Sequence, residues 1–231
     1  MTVEAVLFDW GGTLSTHADF DLLAMWRAAA LVLAPENPEP MAQALLDAEH
    51  AWWHARVVEG DGTGSGTTED VIRSVEQATH LPVHSALAAY HGAWDAVVDH
   101  DPAALPTLQA LKGRGIKTGL LSNTHWPREQ HDRWLREAGL LDLLDVRVYT
   151  SDLTHMKPHP IAFTTLLAAL EVPADRAIFV GDRLRDDVSG AQGVGMRAVL
   201  LTGRHPAIET SIIPDAEMSS VAGLLDLIER W

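Results

Sequence analysis

Short apolar runs that each end in polar residues constrain this chain most. They fall at residues 3–8 (VEAVLF), 116–121 (IKTGLL), 146–150, 177–180 (AIFV) and 197–201 (RAVLL). Runs of this length without polar alternation are the pattern of strands buried on both faces. Helical stretches separate the later ones, at 128–138, 160–170 and 187–194, with a crossover helix over 103–112 before the second run. Strands alternating with helices require right-handed βαβ crossovers, so the expected fold is α/β, a doubly wound parallel sheet covered on both faces.

One interval breaks the alternation. Roughly a hundred residues lie between the first and second runs with helical periodicity and no convincing strand. Helices are expected at 20–33, where Leu22, Trp26 and Leu33 share a face, at 39–58, from Thr67 toward His80, and at 83–98. Thr67 and Asp70 have N-cap spacing. The expected organisation is a core of residues 1–15 and 102–231, with a small helical cap at 16–101 inserted after the first strand and hinged near 15–18 and 99–102. The glycine-rich stretch 60–66 (GDGTGSG) lacks the Gly-Lys-Ser/Thr ending and preceding strand of a phosphate-binding loop, so composition predicts a mobile linker.

Composition narrows the chemistry. There is no cysteine, which excludes disulfides, thiolate catalysis and cysteine-ligated zinc. A net charge of -15, with 17 Lys and Arg against 32 Asp and Glu, argues against a nucleic-acid partner. No apolar stretch is long enough for a bilayer, and residues 1–8 have no signal-peptide pattern, so no membrane partner and a cytoplasmic location are expected.

In an open parallel sheet, ligands bind at the carboxyl ends of the strands. Those ends carry Asp9 and Thr13, then Ser122 and Asn123, then Lys157 in the loop after the third strand, then Asp182. A carboxylate there can attack an electrophile, hydroxyl and backbone N–H groups can hold phosphate oxygens, and a lysine can neutralise charge. Several carboxylates converging on one point would repel unless a hard cation sat among them, and oxygen-only ligands favour magnesium.

With those residues in view, the chain resembles the haloacid dehalogenase superfamily along its whole length. Leu7-Phe8-Asp9-Trp10-Gly11-Gly12-Thr13-Leu14 is similar to its first motif, Leu121-Ser122-Asn123 to its second, Met156-Lys157-Pro158-His159-Pro160 to its third, and Val180-Gly181-Asp182-Arg183-Leu184-Arg185-Asp186-Asp187 to its fourth. The resemblance implies a Rossmann-like core with strand order 3-2-1-4-5, Asp9 on the central strand, and a helical cap. It also implies roles: Asp9 as nucleophile, Lys157 orienting and shielding it, and Thr13, Ser122 and Asn123 on the substrate. Asp9, Asp182 and the Gly11 carbonyl would bind Mg2+, with Asp187 acting through a water. The implied activity is magnesium-dependent hydrolysis of a small phosphorylated metabolite through an aspartyl-enzyme intermediate.

One position departs from the pattern. Phosphatases of this superfamily carry a second Asp two residues after the nucleophile, which protonates the leaving group; this chain has Gly11. General acid–base catalysis is typically worth about 10² to 10⁴ in rate, so slow turnover is expected unless another group supplies the proton. His17, Asp19 and His125 are the candidates, His125 foremost because it follows Ser122-Asn123. Phosphonoacetaldehyde hydrolases share a similar Asp-Trp-x-Gly-Thr segment but need a cap lysine, and Lys112, Lys117 and Lys157 all lie outside 16–101. Two further readings stand: a metal-independent dehalogenase-like hydrolase, and a low-activity phosphate-binding regulatory protein. In the insertion, Trp26, Trp52, Trp53 and Trp94 fit either a pocket or core packing, and Glu49 and Arg56 either substrate contact or a solvated helix face. His155 and His159 do not share a helical face, since Pro158 intervenes.

Overall fold

In the computed structural model, described for residues 2–17, 20–75, 82–203 and 211–231, the apolar runs assemble into one parallel sheet. Its strands are β1 (Ala5–Phe8), β4 (Lys117–Ser122), β5 (Val146–Tyr149), β6 (Ala177–Gly181), β7 (Arg197–Leu201) and β8 (Ala216–Met218), side by side in the order β5-β4-β1-β6-β7-β8. Numbered within the core, that is the expected 3-2-1-4-5 with one strand more. The added strand, β8, is three residues long and lies on the edge beside β7. Ala5 to Phe8 pair with 117–120 on one side and 177–180 on the other. This puts β1 at the centre with every residue buried.

Helices cover both faces. α7 (Pro160–Leu170) lies on one, where Phe163, Leu166 and Leu170 pack with Leu7, Leu121 and Phe179. α5 (Ala104–Gly113), α6 (Arg128–Glu137) and α9 (Leu224–Arg230) contribute Leu108, Leu135 and Leu227 to the other, with Phe8, Leu120 and Val180. The alternation of strand side chains between faces divides the core into these two layers. The segment expected as a helix over 187–194 is instead a π-helical turn at Leu184–Ser189 followed by the short α8 (Gly190–Gly193).

The interval between β1 and β4 is helical, with one correction. Residues Ser15–His17 (β2) and Val98–His100 (β3) form a two-stranded antiparallel ribbon where the sequence predicts only hinges and the end of a helix. Between them run α1 (Leu22–Leu33), α2 (Pro38–Trp53) continuing into a π-turn at His54–Val58, α3 (Thr68–Ser74) and α4 (Val83–Trp94). The Asp21 side chain caps α1, and Thr67 with Asp70 forms a full capping box on α3. The expectation that this last helix reaches His80 runs outside the described residues. α1 packs against α2 and α4 through Trp26, whose ring stacks on Tyr90 with centroids 4.0 Å apart.

The glycine-rich stretch is docked rather than a bare linker. Gly62 accepts a hydrogen bond from Met156 N at 2.7 Å, Thr63 bridges to His155, and the Arg185 guanidinium bonds the carbonyls of Val57 and Gly60. Gly62 has φ +83°, and a Cβ there would collide with the Met156 carbonyl. The glycine is therefore needed for close backbone approach to the loop that carries Lys157. No helix among the described residues is long and apolar enough to cross a membrane.

Candidate active site

Asp9 follows the last residue of β1, and its backbone N–H donates to Val180 O at 2.9 Å, holding it level with the end of β6. That places it beside Asp182, the first residue after β6. Asp187, one turn later, lies at the same point: carboxylate oxygens of Asp9, Asp182 and Asp187 all fall within 4.8 Å of one another. All three side chains are buried.

Two glycines make room for this cluster. Gly12 has φ +81°, a left-handed conformation that costs other residues, and a Cβ there would run into Asp182 Oδ2. A Cβ on Gly181 would run into the Asp187 carboxyl. Gly11 is not among the residues with positive φ.

Lys157 lies between two of the carboxylates. Its Nζ donates to Asp9 Oδ1 at 2.6 Å and Asp187 Oδ1 at 2.7 Å, and the side chain is 1% exposed. The other oxygen of Asp187 accepts from the backbone N–H groups of Asp182 and Arg183 at 3.1 and 2.9 Å. One lysine does not balance three acids. Burial, then the charges of Asp9 and Asp187, push the Asp182 carboxyl up to about 8. Burial raises Asp9 too, against the pull of Lys157, and burial with the charge of Asp187 lifts Asp186 to about 6. Burial alone would lower Lys157, but Asp187 and Asp9 outweigh it and raise it. An excess of buried carboxylate with oxygen-only donors fits a hard divalent cation. Asp187 is occupied at both oxygens by Lys157 and two backbone N–H groups, which leaves Asp9 and Asp182 as the carboxylates of the cluster that could offer oxygens to such a cation.

The remaining expected residues separate. Ser122, at the end of β4, lines the same cavity as Asp9 and Lys157. Asn123 lines it too, yet its amide is taken up at both ends by the Lys157 backbone, Nδ2 to the carbonyl at 2.9 Å and Oδ1 from the N–H at 2.8 Å. Its visible work is to fix the lysine loop. Thr13 is fully buried under the turn after β1 and is not among the lining residues.

The cavity, about 410 Å³, opens between the strand ends and the helical insertion. Trp53 and Trp94 line it, whereas Trp26 and Trp52 are buried elsewhere among the insertion helices, so the insertion tryptophans divide two and two. Arg56 lies over the Trp52 ring at 4.6 Å. Glu49 is not on a solvated face: it is 4% exposed, and its Oε1 accepts from His125 Nε2 at 2.7 Å. Burial would raise the Glu49 carboxyl, but the hydrogen bond and charge of His125 and the indole N–H groups of Trp26 and Trp53 hold it below its usual value. The second nitrogen of His125 is 2.9 Å from Thr68 Oγ1, and Thr68 N donates to the His125 carbonyl at 2.6 Å. His125 also lines the cavity, and with its ring nitrogens engaged by Glu49 and Thr68 it ties α2 and α3 to the loop after β4. Asp19 lies outside the described residues, as does the side chain of His17. The rings of His155 and His159 stack with centroids 4.0 Å apart, and neither lines the cavity.

Sequence reasoning missed Trp10 and Trp126 as walls of this cavity. The one available signal was position, since each directly follows a motif residue or loop.

The structure has a counterpart in the HAD phosphatase from Thermococcus onnurineus, with a TM-score of 0.71, 25% identity and 98% of each chain covered. A 2-haloacid dehalogenase from Pseudomonas syringae shares the fold at 22% identity, with a TM-score of 0.67 and both chains covered in full. In sequence, a glyceraldehyde 3-phosphate phosphatase from Pyrococcus furiosus is 33% identical over 152 residues, 64% of this chain and 62% of that protein. Residues 3–195 match the model of the haloacid dehalogenase-like hydrolases, and the chain belongs to that family.

Proposed function

We propose that this hydrolase removes phosphate from a small phosphorylated metabolite in a magnesium-dependent reaction at Asp9. The observation that carries the reading is the cluster of Asp9, Asp182 and Asp187 around Lys157 at the strand ends. The phosphatases among its similar proteins support it. Magnesium, when bound by Asp9 and Asp182 with the Gly11 carbonyl, supplies positive charge to the phosphoryl oxygens and to the attacking carboxylate.

The chain's own residues do the rest. Lys157 fixes the Asp9 carboxylate by a 2.6 Å bond and offsets the charge of the incoming anion. Ser122 holds a phosphoryl oxygen. An Asp9 oxygen attacks phosphorus, the bond to the leaving oxygen breaks, and an aspartyl-phosphate forms. Water then attacks phosphorus and returns Asp9 with release of inorganic phosphate. Gly11 gives the departing oxygen no proton, and His125 is held by Glu49 and Thr68, so protonation falls to solvent in the cavity. The helical insertion closes over this site as a cap on the ribbon of β2 and β3.

The test is a panel of small phosphate esters with p-nitrophenyl phosphate, each with magnesium and with EDTA, run on wild type and Asp9→Asn. Phosphate release that needs both magnesium and Asp9 is expected. Release of halide from 2-haloacids in EDTA, with no phosphate release, would replace the reading by a dehalogenase. Tight phosphate binding without turnover would replace it by a regulatory protein.

A further inference from the structure

Much of the cavity lining is aromatic. Trp10 and Trp126 come from the core, Trp53 and Trp94 from the insertion, and Phe20 from the segment leading into α1. The rings touch one another: Trp94 and Trp126 have centroids 4.8 Å apart, and Phe20 and Trp94 4.7 Å. Phe20 is 41% exposed, so its ring borders the open side. Leu22 and Val57 extend the same apolar surface.

Charge on the wall is sparse. Lys157 is committed to Asp9 and Asp187, and His125 to Glu49. Arg183 is the other cation on the lining, and Glu49 and Asp186 are acids there. A substrate with a second phosphate would meet no cluster of cations and would lie against carboxylates. A polyol chain would bring hydroxyl groups against indole and phenyl faces, where their lost hydration is not replaced. Trp10, Trp94 and Trp126 are already packed on one another at 2%, 4% and 9% exposure, so the ring surface left open is that of Phe20 and the partly buried Trp53. A flat apolar group would cover that surface and gain from the area removed from water.

We infer that the preferred substrates are phosphate monoesters with one phosphate and a flat, aromatic or otherwise apolar organic group, rather than polyol phosphates or bisphosphates. This rests on the phosphatase reading and specifies its substrate class. The phosphate sits at Asp9, Ser122 and Lys157, and the organic group extends toward Phe20, Leu22 and Trp53.

The comparison that isolates the wall is benzyl phosphate against glycerol 3-phosphate, because both release a primary alcohol and differ mainly in the ring. Burying a phenyl-sized group favours benzyl phosphate by about tenfold or more in kcat/KM. Glyceraldehyde 3-phosphate and a sugar bisphosphate should fall with glycerol 3-phosphate. Phe20→Ala, at a half-exposed position where folding is not at risk, should shrink the benzyl preference through KM, and Phe20→Leu should restore part of it. Benzylphosphonate should inhibit more strongly than 2-hydroxyethylphosphonate, which reads the wall without chemistry. Faster hydrolysis of the polyol esters, or equal inhibition by the two phosphonates, overturns the inference and leaves the phosphatase reading in place. Failure of every ester to release phosphate overturns both.

Discussion

His131 should make this protein acid-sensitive well above the range of its ordinary carboxylates. It lies on α6 with no exposed surface, stacked on Tyr149 at 4.7 Å and edge-on to Trp10 at 4.8 Å. Burial, reinforced by the charges of His125, His91 and Arg128, lowers it from 6.5 to about 3. The folded value lies below the unfolded one, so between those pH values the unfolded chain binds a proton that the native protein refuses. Stability is then complete above pH 6.5 and falls as the pH drops toward 3. The slope for one such proton is about 1.4 kcal/mol per pH unit, so lowering the pH to 5 costs about 2 kcal/mol. Asp182 and Asp186 act in the opposite sense, because their raised values let the native state take up protons first. The assay must therefore be a difference. Urea unfolding in EDTA at pH 7 and pH 5 is compared for wild type and His131→Phe, which keeps a ring against Tyr149 and cannot titrate. The variant loses the 3.0 Å hydrogen bond to Thr124 at both pH values, so that cost cancels. Wild type should lose about 2 kcal/mol more than the variant between the two pH values. Equal losses would refute the reasoning that His131 is held neutral by burial.

The other expectations concern the reaction centre. Gly12→Ala adds both a left-handed backbone penalty of about 1 kcal/mol and a collision with Asp182, so magnesium affinity, followed by calorimetry, should fall by tenfold or more while the protein stays folded. Lys157→Met leaves Asp9 and Asp187 without their cation. Loss of a buried partner costs about 3–5 kcal/mol, visible as a large drop in melting temperature together with loss of phosphate release. Gly11→Asp places a carboxyl beside the leaving group at a position free of the φ constraint on Gly12. Turnover of esters with poor leaving groups should rise, by up to about a hundredfold, and no rise in a folded variant would mean that protonation does not limit the rate.

What the sequence made legible follows from how locally each feature is specified. The buried strands announce themselves because a strand covered on both faces must be apolar at every position, as Ala5 to Phe8 and Ala177 to Val180 are. The residues at their ends inherit their place from the strands, and Asp9, Ser122, Lys157 and Asp182 accordingly arrive together. The ribbon of β2 and β3 has no such signal. Ser15-Thr16-His17 and Val98-Asp99-His100 are three-residue polar strands that exist through pairing across more than eighty residues, and short edge pairings leave no period to detect. β8 escaped for the same reason. The sequence left Glu49 open between substrate contact and a solvated helix face, because an acid in Asp47-Ala48-Glu49-His50 looks like any exposed helix position. Its burial depends on His125, 76 residues away, and no local pattern encodes that. Asn123 sat in the right motif, but its pair of hydrogen bonds with the Lys157 backbone became visible only when β4 and the loop after β5 met.

This division has a consequence for how the two parts of the chain bear on catalysis. The carboxylates, the lysine and the glycines that admit them all come from the ends of core strands and the segments that follow them, and β1–β6 pairing sets Asp9 beside Asp182. The insertion supplies no group to that cluster. It supplies Trp53, Trp94 and Val57 to the cavity lining, and Glu49 and Thr68 to hold His125 on the loop that follows Ser122. Substitutions in the core should therefore act on the chemical step, and substitutions in the insertion on which organic group is held. The His125–Glu49 pair is where the two meet. It is buried on both sides, so removing either partner strands the other, and Glu49 without His125 keeps only indole N–H groups to offset its charge. Coupling between His125→Ala and Glu49→Ala in a double-mutant cycle separates this tie from either residue's own packing, and its loss should loosen the insertion over the cavity without disturbing the 2.6 Å contact of Lys157 with Asp9.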